Sequence, residues 1–386
     1  MTEPIPIEDW EAAFPGGLGP AEPARMPPKV ARPSETVVNI ADRSAAPPPI
    51  PYRTPLEVAN STSESPDWLL RGYLALGAIT EVDGKIKSSG KTTLVTHLVA
   101  AILDGQPFLG QPTMKTNVVY LTEQTPGPFR EALARAGLLL RGSELRLVFR
   151  ADVAQRSWSQ LVAQVAADAK RDGYGLLVVD TLGKLAQVKE ENDAGEGGRV
   201  MAPLQDAAHN GMAVLVCRHE RKGGGEVGES GRGSSAISGD VDVILQLRRP
   251  EGNQPTNRRV IESLSRYSET PEKVVIELND EGFVLLGDEE AVTLNDALRK
   301  VAAHLGGLFE QNESATLDEL VSELDMTRAA IQRALKELRH RGEIQEFTDD
   351  GGKPRKGHPL RYSVLRETDS AHTNGLCEQK ESEAAR

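Results

Sequence analysis

Cysteine is almost absent from this chain: Cys217 and Cys377 are the only two in 386 residues. Two thiols so far apart support neither a disulfide framework nor a Cys-based zinc site, and a reducing, cytoplasmic setting is expected. Long apolar runs are missing as well. The best apolar helix, near residues 94–103, is far shorter than the roughly 20 residues that cross a bilayer, and no basic segment followed by an apolar run opens the sequence. No membrane partner and no removed leader are therefore expected. Aromatic residues reach only 4% beside an apolar fraction of 39%. That balance points to α/β packing rich in Ala, Leu and Val, and the aromatic-poor loop "GRGSSAISGD" offers no stacking platform for single-stranded bases. Positive charge is in deficit, with a formal net charge of −12. Nucleic-acid binding is not excluded by this, because it depends on local basic faces and not on the chain average.

What is present divides along the chain. Fourteen of the 24 prolines fall in the first 66 residues, too closely spaced for helix or central strand, so 1–55 reads as a disordered arm. The stretch "IPIEDWEAAF" around Trp10 is its one candidate docking motif, with a replication protein as the partner class. From Trp68 onward, apolar strands such as "NVVYLTE", "LRLVF", "GLLVVD" and "AVLVC" alternate with helical segments, the pattern of a parallel sheet with crossover helices. The segments "VDVILQLRR", "RRVIESLSRY", "KVVIEL" and "FVLLG" then predict an antiparallel extension, closing an α/β domain over 56–287. Residues 293–366 predict a helical module ending in two short strands, and 367–386 a polar, disordered tail.

The stretch "DGKIKSSGKTT" (83–93) is the first chemical signal. Five residues separate Gly84 from Gly90, where a phosphate loop ordinarily has four, but the stretch lies between a predicted strand and a predicted helix. There, backbone N–H groups and the helix dipole meet a phosphate. Gly84, Lys85, Ser88, Ser89, Gly90, Lys91, Thr92 and Thr93 are the candidate nucleotide-binding residues, with Lys91 neutralising β- and γ-phosphate charge and Thr92 ligating Mg²⁺. The strand "GLLVVD" ends in Asp180, at a sheet's C-terminal edge where a carboxylate can support that metal.

With "GKIKSSGKTTL", "VVYLTEQ", "LLVVDTLGKL", "VLVCRHERKGGG" and "GRGSSAISGDVDVILQL" in this order, the chain from about 68 to 287 resembles the RecA-like ATPases, in particular the RepA-type hexameric replicative helicase branch. The resemblance implies a RecA-like P-loop fold, ATP and Mg²⁺ as ligands, DNA as partner and a homo-oligomeric ring, a hexamer in that branch. It assigns Glu123 to polarising the attacking water and His219 to sensing the γ-phosphate or coupling it to DNA. It puts Arg232, Gly233 and Ser234 on a loop facing the nucleic acid. Arg266 falls where the family has an arginine finger reaching the neighbouring subunit, with Lys222 as the competing candidate. The extra loop residue is the departure from the family's pattern.

The last folded segment carries Thr316 and Thr327 as candidate N-caps, Asp325 in a short turn and Gly342 after the third helix. Two strands, "EIQEF" and "LRYSVL", then flank a basic tip, an order that resembles a winged helix-turn-helix. Arg328, Arg333, Lys336, Arg339 and Arg341 on the third helix, with Lys353, Arg355 and Lys356 on the wing, are the phosphate-contact types such a module uses. Glu337, Glu343, Glu346, Asp349 and Asp350 lie among them, which keeps a protein-docking role open. The sequence thus predicts a Mg²⁺-dependent ATPase coupled to DNA in replication or repair. Its rivals are an ATP-gated DNA-binding regulator and a helicase loader or adaptor.

Overall fold

The structure is a computed structural model that describes residues 50–86, 89–188, 194–219, 235–251, 254–355 and 357–365. The expected arm up to residue 49, the tail from 366, and Ser88, Lys222, Arg232, Gly233, Ser234 and Lys356 lie outside the described residues. Met1–Ser61 and Thr62–Arg386 form two units. In the first, α1 (Pro55–Ser61) buries no side chain, and the Thr54 hydroxyl accepts from the Glu57 amide at 3.2 Å. A seven-residue helix with no buried side chain adds nothing to a core.

The second unit opens with a small hairpin, β1 (Trp68–Leu70) and β2 (Leu74–Ala75). There follow β3 (Ile79–Asp83), α2 (Lys91–Asp104), β4 (Asn117–Thr122), α3 (Pro126–Arg135), β5 (Leu145–Phe149), α4 (Trp158–Asp172), β6 (Tyr174–Asp180), α5 (Leu182–Leu185), α6 (Ala194–His209), β7 (Ala213–Cys217), α7 (Ser235–Gly239), β8 (Val243–Arg248), β9 (Arg258–Ser265), β10 (Lys273–Asn279) and β11 (Gly282–Gly287). One nine-stranded sheet results, in the order β11-β10-β9-β8-β3-β7-β6-β4-β5. The pairs β8·β3, β3·β7, β7·β6, β6·β4 and β4·β5 are parallel, and β9, β10 and β11 add antiparallel.

The sequence expectation had β8 opening the antiparallel extension; β8 instead pairs parallel with β3, Thr80 opposite Val243. The reason is the long connection from Cys217 to Val243, which carries α7 and returns the chain to the same end of the sheet, as a crossover does and a hairpin cannot. The uninterrupted apolar runs of β6 and β7 suit strands covered on both faces. Val118, Tyr120, Leu176, Val178 and Leu215 pack against α2 and α3, while Val119, Leu121, Leu177, Val179 and Val214 pack against α4 and α6.

From Asp288, whose carboxylate caps the Glu290 and Ala291 amides, α8 (Glu289–Glu310) runs on without a break into a C-terminal module. That module adds β12 (Ala315–Thr316), α9 (Leu317–Glu323), α10 (Arg328–His340), β13 (Ile344–Thr348) and β14 (Leu360–Val364), three helices against an antiparallel sheet ordered β12-β14-β13. Thr316 forms a capping box with Glu319, Thr327 caps α10 through the Ala330 amide, and Gly342 takes φ 71° just past the helix. Leu298, Val301, Leu305, Leu320, Ile331, Leu335 and Leu338 form its core.

Among the described residues of the α/β sheet, one ion pair is wholly buried. Arg218, just after β7, donates to both carboxylate oxygens of Glu81 on β3 at 2.9 and 2.8 Å, with 3% and 1% of the two side chains exposed. Burial pushes the Glu81 carboxyl above its ordinary range, and the Arg218 charge opposes that shift. Removing one partner strands the other in an apolar layer. Glu81→Gln is therefore expected to lower unfolding free energy by about 3–5 kcal/mol in urea titrations. A loss within about 0.5 kcal/mol, the range of surface substitutions, would show the pair to be dispensable.

Candidate functional site

At the C-terminal end of β3 the chain turns at Gly84 into the glycine loop and enters α2 at Lys91. A side chain at 84 has no room: its Cβ would stand 2.6 Å from the Leu247 carbonyl and 2.9 Å from the Ser89 Oγ. Gly90, at φ 88° and ψ 21°, is the residue before the helix and sits in the left-handed region that other residues enter only at a cost. The Ser89 hydroxyl closes the loop by donating to the Lys85 carbonyl at 2.9 Å. Lys91 is only 5% exposed, and its ammonium donates to the Gly84 carbonyl at 2.7 Å, to Lys85 O at 3.3 Å and to Ser89 Oγ at 3.3 Å. A buried lysine whose charge ends inside a ring of backbone atoms at a helix N-terminus fits an anion's position. Lys85 is exposed at the rim, and Thr93 lies half-buried on the first turn with its carbonyl taken by Thr96 and His97.

Two strands away, Asp180 ends β6 on the α2 face. Its Oδ2 accepts from the Thr92 hydroxyl and from the Tyr120 hydroxyl, both at 2.8 Å, and the Gln124 amide donates to Thr92 Oγ1 at 3.4 Å. Burial pushes the Asp180 carboxyl up, while the Thr92 and Tyr120 hydrogen bonds and the Lys91 charge pull it down. Buried Cys217 lies beside it, its thiol held well above its ordinary value by burial first and by the Asp180 charge second. A hydroxyl and a carboxylate 2.8 Å apart, next to a phosphate loop, are the hard oxygen donors that Mg²⁺ accepts. Among the described residues no cluster of three or more His, Cys, Asp or Glu could hold a metal by itself. Thr92 and Asp180 thus fit a metal that draws its remaining ligands from a bound phosphate and water.

Glu123 follows β4, its amide donating to the Asp180 carbonyl at 2.9 Å. Its carboxyl is half-buried in a cavity of about 340 Å³ lined also by Ile86, Thr181, Lys184, Arg218 and His219. The structure therefore brings Glu123 and His219 together on the sheet face opposite Asp180. Arg266 is elsewhere. It is exposed, donating to Asp242 Oδ1 at 3.2 Å and to the Gly239 carbonyl at 3.0 Å, and Asp242 in turn accepts from the Ile79 amide. Ile79 begins β3, roughly 13 Å of strand from the loop at about 3.3 Å per residue, so Arg266 does not reach its own chain's loop.

One residue at the loop escaped the sequence reading. Arg259, on β9, donates through Nε to the Ser89 carbonyl at 2.7 Å and through Nη1 to the carbonyls of Thr256 and Arg258 at 2.7 and 2.6 Å. Burial and the Arg249 charge lower its guanidinium from the usual value. Only the antiparallel return of β9 brings it there, and no local motif announces that.

In the C-terminal module the basic residues are mostly paired with acids of the same module. Arg328 meets Asp318, Arg339 meets Glu346, Arg341 meets Glu337 and Arg355 meets Asp350. Arg333 lines a groove of about 420 Å³ with Glu251, Glu289 and Glu290, facing the α/β sheet, whereas Lys336 and Lys353 are exposed.

A parallel-dominated sheet with a glycine loop entering a helix at its C-terminal edge is the architecture of P-loop α/β proteins. A family model described as "AAA domain" matches residues 44–225, a little under half of the chain. No curated protein matches. Among solved structures, one titled "Crystal structure of the RadB recombinase" is similar over 55% of this chain and 91% of that one, at 18% identity and a TM-score of 0.38.

The electrostatics of Glu123 set a sign. Burial, and next the Asp180 charge, hold its carboxyl above the ordinary range, while Thr181, Lys184 and Arg150 pull it down. A step in which Glu123 accepts a proton needs the carboxylate, so its acidic limb lies above the usual Glu value of about 4.3. Lys184→Met removes one lowering charge and is expected to move that limb to higher pH in a pH–rate profile. A limb that moves down or stays would contradict a proton-accepting role for Glu123.

Proposed function

We propose that this chain is a Mg²⁺-dependent ATPase of RecA-like type whose nucleotide cycle is coupled to DNA in recombination, repair or replication. The observation that carries the reading is the Thr92–Asp180 hydrogen bond beside buried Lys91, which joins the helix after the glycine loop to a carboxylate 88 residues away. In this reading Lys91 and the loop amides hold the β- and γ-phosphates, with Gly84, Lys85, Ser88, Ser89, Gly90 and Thr93 shaping the cradle. Thr92 and Asp180 would hold a Mg²⁺ ion, which when bound would supply charge stabilisation to the transferring phosphoryl group. Glu123 orients the attacking water and takes its proton, and His219 in the same cavity responds to the γ-phosphate.

Arg266, out of reach of its own loop, serves a neighbouring subunit's nucleotide in a ring or filament, which makes hydrolysis depend on assembly. The C-terminal module acts as a winged helix that meets phosphates through Arg333, Lys336, Lys353 and Lys356, with Arg328, Arg339 and Arg355 recruited where their acidic partners release them; Arg232 adds a contact to the nucleic acid. One observation favours a second reading of this module. Its arginines Arg328, Arg339, Arg341 and Arg355 are already paired with Asp318, Glu346, Glu337 and Asp350, so a protein-docking role, as in a helicase loader or adaptor, competes with DNA binding.

Hydrolysis by wild type, Lys91→Ala and Glu123→Gln, with and without single- and double-stranded DNA at two salt concentrations, separates these readings. Lys91→Ala is expected to lose nucleotide affinity and turnover together. Glu123→Gln should keep affinity while turnover falls on the order of 10²–10⁴-fold. DNA stimulation that weakens steeply with salt supports the motor. Turnover indifferent to DNA moves the docking reading to the front.

A further inference from the structure

Two consecutive arginines on β9 face opposite sides of the sheet, as alternate residues of a strand must. Arg259 shares its face with Ile261, which belongs to the α2 core, and holds the Ser89 carbonyl of the glycine loop at 2.7 Å. Arg258 shares its face with Val260, which packs with Val275 and with Val292 of α8. Its guanidinium donates to Glu277 Oε2 at 2.6 Å, to Gln254 Oε1 at 3.2 Å and to Asp296 on α8. Only 8% of Arg258 is exposed. A second clamp stands beside it: Arg248, at the end of β8, grips both carboxylate oxygens of Glu289 in the first turn of α8, at 3.1 and 2.7 Å.

α8 is one continuous helix of 22 residues. Its first two turns are fixed to the sheet by Arg248, Arg258 and Val292, and its later residues Leu298, Val301 and Leu305 sit in the core of the C-terminal module. No loop separates these two attachments, so a shift of the N-terminal half is delivered to α10, which packs along α8. The backbone that positions Arg259 at the loop is therefore the backbone that positions Arg258 on α8.

We propose that the Arg258–Arg259 pair transmits occupancy of the glycine loop to the C-terminal module. A phosphate entering the loop meets the Arg259 charge and the Ser89 carbonyl it holds. The resulting shift of β9 is read by Asp296, and α8 carries it to the module's third helix. The proposal rests on the reading of 84–92 as a nucleotide site, and it holds whether the module binds DNA or a protein.

The test is amide hydrogen exchange on the full chain, with and without saturating Mg²⁺ and ATPγS, with nucleotide binding titrated in the same samples. In wild type, nucleotide should change exchange in residues 289–301 on the order of tenfold. Asp296→Asn lies outside the loop and should bind nucleotide within about twofold of wild type while losing that change. Arg259→Lys keeps the charge but not the Nε donation to Ser89; at saturating nucleotide it too should lose the response in α8. Because it is remote from the module, it decides the matter if Asp296→Asn loosens the module even without nucleotide. An α8 that ignores nucleotide in wild type, or that responds equally in Arg259→Lys, overturns the proposal. A wild type that binds no nucleotide removes the functional reading itself, and the titration reports that separately.

Discussion

Everything at the candidate site hangs on the hydrogen bonds that Asp180 accepts from Thr92 and Tyr120. They tie the first turn of α2 to the ends of β6 and β4, and so fix where a helix N-terminus points relative to the sheet edge. An ionised carboxylate at such depth is costly unless it is hydrogen-bonded or faces a cation. Two hydroxyls and the nearby Lys91 charge meet part of that cost. The same geometry leaves Thr92 and Asp180 oxygens beside the loop, where under the proposed function a divalent cation would complete what the hydroxyls begin.

The topology explains why the site gathers residues so far apart in sequence. β3 connects through α2 to β4, leaving room for β7 and β6 between them, while β8 lies on the other side of β3. The chain thus leaves β3 in one direction and extends the sheet in the other, and ligands favour the crevice where strand order switches in this way. Asp180 arrives at that edge on the α2 face, and Glu123 and His219 on the opposite face, because β6, β4 and β7 are adjacent parallel strands that end there. The buried Arg218–Glu81 pair lies beneath them on the face of the Glu123 cavity, joining β3 to β7.

Much of this was legible in the sequence because it is local. The glycine loop, the apolar run ending in Asp180, and the caps Thr316, Thr327 and Gly342 each carry their signal within a few residues. The direction of β8 was not legible, since "VDVILQLRR" reads the same in a parallel or an antiparallel pair and the long connection before it decides. Arg259 at the loop and Arg333 in the groove beside Glu289 were equally hidden: their partners come from strands and helices that meet only after folding. The basic face expected on α10 is the sharpest case. The sequence shows Glu337 and Glu346 among its arginines, but only the fold shows Glu346 against Arg339 and brings Asp318 from α9 against Arg328.

The account stands or falls on whether residues 84–92 and Asp180 make a Mg²⁺-nucleotide site. Titration calorimetry of the full chain with ATP and with AMP, in Mg²⁺ and in EDTA, reads this directly. The account predicts saturable ATP binding that weakens when Mg²⁺ is removed, and little binding of AMP, which lacks the phosphates that Lys91 and Thr92 would meet. Equal binding of ATP and AMP, or no binding of ATP in Mg²⁺, would contradict it.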